Sequence, residues 1–292
     1  MPMKIFKTET EDKLTINRIM HARSYSLLLD RKRCIGCDIC NIVCPREAID
    51  IEKPAKIEGE KLTPPRINVD ENKCQFCGIC NTICPFGALA LEINDERTIP
   101  VLRTESFPQI IHEIEVDTSK CPTDCRECEE ICPFDLIKIS VDEEKNGVNV
   151  DVETDHCPCC RLCEVKCPHD AIHTRKIIFG SIAINSEKCP GGCSDCVDVC
   201  PIPGVLYLSA DGKVHVNEFP CIYCGVCKIV CPAEGALEMQ RTSVHHTPVH
   251  SGAWNKALEK LCSTEGMAKE LRSRLIVKAQ ESVRRRLGKE VP

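Results

Sequence analysis

Four cysteines closed by a proline recur six times along the chain, and their spacing suits thiolates seated around a small iron-sulfide cube. The runs are Cys34, Cys37, Cys40, Cys44, Pro45; Cys74, Cys77, Cys80, Cys84, Pro85; and Cys121, Cys125, Cys128, Cys132, Pro133. The remaining three are Cys157, Cys160, Cys163, Cys167, Pro168; Cys189, Cys193, Cys196, Cys200, Pro201; and Cys221, Cys224, Cys227, Cys231, Pro232. Four of them read C-x2-C-x2-C-x3-C-P, and the third and fifth lengthen only the first gap to x3. Three thiolates on one tight loop can each reach a different iron of a 4Fe-4S cube. The cysteine before proline is carried away on a short helix and is expected to serve the neighbouring cube. Proline then stops the helix and sends the chain into a strand.

Other uses of cysteine fit poorly. The x2-x2-x3 register has no disulfide rationale, and zinc sites pair two C-x2-C knuckles across a longer gap. Cys121, Cys125 and Cys128 match the three-cysteine signature of radical enzymes that use S-adenosylmethionine. Cys132-Pro133 follows in register, however, and no barrel-sized segment comes after it. Of the 26 cysteines, Cys159 and Cys262 are surplus to the runs. Cys159 could replace Cys160 only by breaking the x2 gap and is read as a non-ligand; Cys262 is read as a buried helical cysteine. His245, His246 and His250 invite a metal reading, but Pro248 spoils a regular helical display, so a loop or partner contact is expected.

The elements that must position these loops are short. Alternating segments lead into the runs, namely Ser26–Asp30, Arg66–Asp70, Ile114–Asp117, Val148–Val152, Ser181–Asn185 and Lys213–Asn217, and apolar ones such as Ala88–Leu91 follow. The unit is therefore strand, cube loop, helical turn, strand, and two units make one two-cube domain. Variant and ordinary runs alternate from the third onward, which pairs three with four and five with six and leaves one with two. Val205–Val216 reads as a hairpin through Ala210-Asp211-Gly212, inside the last pair.

The expected fold is α+β: three tandem two-cluster domains of the bacterial ferredoxin type at 1–105, 106–178 and 179–243, with a helical tail at 244–292. The expected ligand sets are Cys34, Cys37, Cys40 with Cys84; Cys74, Cys77, Cys80 with Cys44; and Cys121, Cys125, Cys128 with Cys167. The others are Cys157, Cys160, Cys163 with Cys132; Cys189, Cys193, Cys196 with Cys231; and Cys221, Cys224, Cys227 with Cys200. With aromatic content of only 4% in 292 residues, bound cubes would supply much of the interior and of the folding energy.

The stretch KPAKIEGEKLTPP and the segment Asn94–Gln109 are read as spacer loops, with partner contact as the alternative. From residue 251 onward there are ten Lys or Arg against five Glu, net +5, which leaves −11 on the rest of a chain whose formal charge is −6. Trp254, Leu258, Leu261 and Cys262, then Ala268, Leu271, Leu275, Ala279, Val283 and Leu287, recur at helical spacing, with Ser263 and Thr264 as caps. This basic amphipathic tail would dock on its own acidic body, or on an acidic partner, or pack on itself. Each oxidised cube adds about −2, so six would bring the total to roughly −18 and disfavour nucleic acid. The start MPMKIFKTETEDKL has no apolar segment of signal length, and no run approaches the roughly 20 apolar residues of a membrane helix. A soluble cytoplasmic chain is expected.

The array resembles the polyferredoxins of methanogenic archaea, and within them the polyferredoxin subunit of tungsten or molybdenum formylmethanofuran dehydrogenase. The resemblance rests on the tandem runs, the two lengthened variants and the tail VHHTPVHSGAWNKALEKL, and it covers most of the chain from Cys34 onward. Typical members carry eight motifs, whereas this chain has six. The resemblance implies an electron relay with no catalytic residues of its own. It would pass low-potential electrons through six 4Fe-4S clusters to the catalytic subunits that reduce carbon dioxide, with heterodisulfide reductase, a hydrogenase or a ferredoxin as donor. The residues themselves leave open a polyferredoxin of a hydrogenase or heterodisulfide reductase complex, a free multi-cluster ferredoxin, or clusters used as structural staples.

Overall fold

The computed structural model describes residues 4–57, 59–142 and 147–262 and the isolated positions 276, 279 and 282. An antiparallel hairpin, β1 (Lys4–Glu9) and β2 (Lys13–Ile19), precedes β3 (Ser24–Asp30), which enters run one. Run one carries α1 (Ile39–Val43) into β4 (Ile49–Glu52); β5 (Arg66–Val69) enters run two, which carries α2 (Ile79–Ile83) into β6 (Leu89–Ile93). β3 pairs antiparallel with β6, and β4 with β5. The strand before one run thus closes on the strand after the next.

The same crossing recurs twice. After β7 (Glu96–Arg97) and α3 (Pro100–Arg103), β8 (Glu113–Val116) enters run three, with α4 (Glu127–Glu130) and β9 (Ile137–Asp142) following. β10 (Gly147–Val152) enters run four, which carries α5 (Leu162–Lys166) into β11 (Ile172–Arg175). Here β8 pairs with β11, and β9 with β10. β12 (Ile178–Ile184), α6 (Asp195–Asp198) and β13 (Leu206–Leu208) surround run five; β14 (Val214–Val216), α7 (Val226–Val230) and β15 (Leu237–Val244) surround run six. β12 pairs with β15, and β13 with β14 in the expected hairpin.

Each of the predicted leading segments is a strand. The helices stay at four or five residues because the cysteine before proline is driven out of the helical region: Cys44 sits at φ −64, ψ 113 and Cys84 at φ −74, ψ 111. The β1–β2 hairpin has no counterpart in the sequence reading. Its Leu14 and Ile16 are fully buried against Leu27 and Leu29, and it widens the first sheet to the order β1-β2-β3-β6-β7.

The interior is not three separate beads. One apolar core lies under the first sheet, from Leu14 to Leu91. A second is continuous from Ile39 and Ile83 through Ile182 and Val226 to Trp254 and Leu261. KPAKIEGEKLTPP is also more than a spacer. Its Lys56 Nζ donates to the buried Asp195 at 2.6 Å, and the Leu62 N–H donates to Asp198 at 3.3 Å, both carboxylates lying on the run-five helix α6.

The segment after β15 docks on the chain's own body. α8 (Gly252–Leu261) is capped by Ser251, whose Oγ accepts from the Trp254 N–H. It lays a fully buried Trp254 between Phe107 and His246, with ring centroids 4.9 and 4.8 Å away. Cys262 is not the buried helical residue expected: the helix stops at Leu261, and Cys262, half-buried, is extended at φ −110, ψ 158. The expected second helical stretch and its caps Ser263 and Thr264 lie outside the described residues, apart from three isolated positions.

Candidate metal centres

In the ordinary runs the second cysteine stands between two residues in the left-handed region. Gly36 (φ 70) and Asp38 (φ 57) flank Cys37; Phe76 (φ 54) and Gly78 (φ 86) flank Cys77. Cys159 (φ 55) and Arg161 (φ 70) flank Cys160; Tyr223 (φ 51) and Gly225 (φ 91) flank Cys224. Such positions are strained for most side chains and persist only where the surroundings hold them. They fold the loop into a cup whose thiols converge. In the lengthened runs the residue after the second cysteine is ordinary, Arg126 at φ −132 and Ser194 at φ −119. The extra residue therefore makes the turn by another route.

None of the 26 cysteines is joined in a disulfide. Burial pushes most of the run thiols up, Cys34, Cys128, Cys160 and Cys200 to about 11 and Cys163, Cys196 and Cys224 to about 12. Charge on neighbouring thiolates adds to this, from within a run and from the run paired with it, as Cys80 on Cys40 and Cys163 on Cys128. Cys84 acts on Cys34, Cys37 and Cys40, and Cys44 acts on Cys74, Cys77 and Cys80. Cys167 acts on Cys121, Cys132 on Cys160, Cys231 on Cys196, and Cys200 on Cys224 and Cys227. Four thiolates crowded in low dielectric repel one another unless a cationic core lies between them, and an iron-sulfide cube supplies one. Among the described residues, no group of three or more His, Cys, Asp or Glu closes onto a point that would hold a single metal ion.

The backbone completes the fit. The N–H groups of Ala48, Ala88, Leu136 and Ala171 donate to Sγ of Cys44, Cys84, Cys132 and Cys167 at 3.3–3.4 Å. The nearby backbone N–H groups, Ala88 first, hold the Cys84 thiol down against burial. N–H donors to sulfur stabilise thiolate and raise a cluster's potential, one of the levers a protein holds over it. Cations form another. Arg31 acts on Cys34, Arg18 on Cys74, Lys176 on Cys221 and Arg241 on Cys224.

Arg18, on the unforeseen hairpin, donates to the Cys74 carbonyl at 2.7 Å and lies 4.8 Å over the Phe76 ring. These cations are absent from the sequence reading, yet Arg241 left a trace. In β15 the buried positions Leu237, Met239 and Arg241 alternate, so a charged residue occupies a core-facing place.

Cys159 is fully buried between two run cysteines, and its hydrogen bond to Cys157, ahead of burial, pushes that thiol up. His246 accepts from Trp254 Nε1 at 3.2 Å, and His245 lies 3.7 Å from Glu113. Both contacts are within the chain.

Residues 33–88 match the family described as 4Fe-4S dicluster domain. The chain is 38% identical over 55 residues to a ferredoxin of Methanothermococcus thermolithotrophicus, covering 90% of that protein and 18% of itself. It is 36% identical over 92 residues to a protein of Pyrococcus furiosus described as aliphatic sulfonate oxidoreductase, polyferredoxin-like subunit. That match takes in 28% of this chain and about half, 53%, of the relative. Among solved structures it resembles a chain of the formate dehydrogenase, heterodisulfide reductase and formylmethanofuran dehydrogenase complex of Methanospirillum hungatei. The TM-score is 0.77 at 33% identity, over 89% of this chain and 92% of that one. The six cysteine runs together with these likenesses define a multi-cluster iron-sulfur protein that transfers electrons. The chain belongs to the 4Fe-4S ferredoxin family and is polyferredoxin-like. Among the described residues, no helix is long and apolar enough to cross a membrane.

Proposed function

We propose that the chain is the electron relay of a formylmethanofuran dehydrogenase complex, cytoplasmic, holding six 4Fe-4S clusters in three two-cluster units at 1–105, 106–178 and 179–243. The observation that carries this reading is the likeness over nearly the whole of both chains to a component of the Methanospirillum hungatei complex. Three crossed strand pairings, each joining two consecutive runs, support the unit boundaries.

Thiolate charge felt between paired runs supports the exchange of fourth ligands: Cys84 joins the Cys34 loop, Cys44 the Cys74 loop and Cys167 the Cys121 loop. Cys132 joins the Cys157 loop, Cys231 the Cys189 loop and Cys200 the Cys221 loop. Bound four-iron cubes supply one-electron storage at low potential. The thiolates hold the irons, the N–H donors and nearby cations stabilise negative charge on sulfur, and full coordination keeps substrates off the metal. The residues 244–292 serve as a fastening tail, of which α8 grips the chain itself.

Because the matched complex also contains heterodisulfide reductase, that enzyme is the donor favoured over a hydrogenase or a free ferredoxin. Anaerobic purification with subunit identification and iron analysis tests the whole reading. Catalytic subunits of formylmethanofuran dehydrogenase should copurify, with about 24 iron and 24 sulfide per chain. A chain that runs alone, or fully loaded material with clearly less iron, overturns it. A Cys44→Ser change should perturb the cluster on the Cys74 loop and spare the one on the Cys34 loop; the reverse would refute the ligand exchange.

A further inference from the structure

The first and last units meet at their cysteine loops. Arg241, only 5% exposed, reaches from β15 with Nη2 2.5 Å from the Cys224 carbonyl oxygen and 3.2 Å from Asp38 Oδ1; its Nε donates to the Tyr223 carbonyl at 3.0 Å. Asp38 is the residue next to Cys37, so a single guanidinium nitrogen touches the run-six loop and the immediate neighbour of a run-one thiol. Cys37 and Cys224 are each 7% exposed, and charge on Cys224 is felt at Cys37. Gly225 makes the room, since a Cβ there would lie 2.8 Å from Arg241 Nη2. A buried guanidinium must be paired, and its ion-pair partner, Asp38, comes from the other unit.

We propose that electrons cross directly between the Cys34–Cys40 loop and the Cys221–Cys227 loop, and that Arg241, held by Asp38 across this junction, is the positioning residue that sets the potentials on both sides. The inference rests on the proposed clusters being present on these two loops. One electron moves per step: one cluster is oxidised by one electron, the other is reduced by one, and no bond or proton changes hands. Chain order is then not electron order, because the first and last units exchange electrons without passing through the middle one. Positive charge at Arg241 favours the reduced, more negative form of either neighbour, and the Asp38 carboxylate opposes it.

The test is potentiometric titration of the full-length, fully loaded protein, followed by electron paramagnetic resonance, with iron counted in every sample. Arg241→Gln should lower the reduced-to-oxidised ratio about tenfold at a fixed potential, about 59 mV for a one-electron couple. Asp38→Asn should raise it, and Arg241→Lys should stay close to the wild type. Both charge-removing changes should move the same two components in opposite directions, a pattern that loss of packing alone would not produce. Shifts in one direction, no shift, or shifts of unrelated components overturn the proposal. If Arg241→Gln loses iron, Asp38→Asn decides alone, and an unmoved titration sinks the idea. Wild-type protein without iron would instead overturn the cluster reading beneath it.

Discussion

Run three and run six have closely related cysteine patterns and lead opposite lives. Of the six runs, only the third has no buried cysteine, whereas Cys221, Cys224 and Cys227 of the sixth are all buried. Burial, then the thiolates Cys167 and Cys125, then Asp117, all push the first thiol of run three up; in run six the Tyr223 N–H and Lys176 pull the first thiol back down against burial. Leu136, Ile137 and Val148 of the middle unit are buried but belong to neither extended core, while run six lies within the larger one. The motif fixes the spacing of four sulfurs; what packs against them in run six is decided by β12 and β15. One sequence pattern thus yields an accessible centre and a sheltered one.

The largest expected difference is in chemical access. Anaerobic treatment with an iron chelator, followed by alkylation and peptide mass spectrometry, should label Cys121, Cys125 and Cys128 on the order of a thousandfold faster than Cys221, Cys224 and Cys227. Local opening suffices for the first set, and near-global unfolding is needed for the second. Equal rates would remove the distinction between the two regions.

Next comes the contact that seals the sheltered side. Trp254→Ala removes a fully buried ring packed on Phe107 and His246. It should cost about 3 kcal/mol by the usual penalty for emptying such a site, read as a lower apparent melting temperature. With α8 loosened from α1, labelling of Cys37 and Cys40 should rise while run three stays as it was. A parallel rise at run three would show that α8 stabilises the chain as a whole and does not shelter one side of it.

How much of this was legible beforehand follows from what each feature depends on. Ligand spacing, leading strands and the Leu206–Val216 hairpin are local, written in cysteine intervals, period-two alternation and an Ala-Asp-Gly turn. Contacts between units are not local. Lys56 meeting Asp195 and Asp38 meeting Arg241 join residues far apart in sequence, and neither partner announces the other. The β1–β2 hairpin is weakly written, because in KLTINRI only Leu14 and Ile16 alternate as buried apolar positions. Arg241 alone offered a clue, a charge where Leu237 and Met239 predict an apolar side chain.

A smaller effect should separate the two loops at the residue after the second cysteine. Gly225→Ala places a Cβ 2.8 Å from both Arg241 Nη2 and Met239 Cε, at φ 91. It should cost about 1–2 kcal/mol in strain and displacement. Arg126, at the matching place in run three, has φ −132, and its Nη1 donates to the Thr123 and Cys125 carbonyls at 3.1 and 2.8 Å. Arg126→Ala should therefore change the apparent melting temperature by less than Gly225→Ala. The opposite ranking would mean that the cup of run six does not depend on its left-handed turn.

The smallest effect is one of pH, at the seam between the strand entering run three and the end of the strand leaving run six. His245 follows β15 and faces Glu113 on β8 at 3.7 Å, with Arg175 on β11 and His246 close by. Burial first, then Arg175 and His246, hold its pKa below 6.5, while Glu113 pulls the other way. The unfolded chain therefore takes up the proton first. Above pH 6.5 both states are neutral and the seam keeps its full stability; below it, stability falls as pH drops towards the folded-state value. Because the group is partly solvated, the drop should amount to about 1 °C in apparent melting temperature, and His245→Gln should flatten it. Acidification should also speed labelling of Cys121, on the loop β8 leads into, without reaching Cys224. If Cys224 responds equally, the seam holds both regions and the accessible loop is not independently hinged.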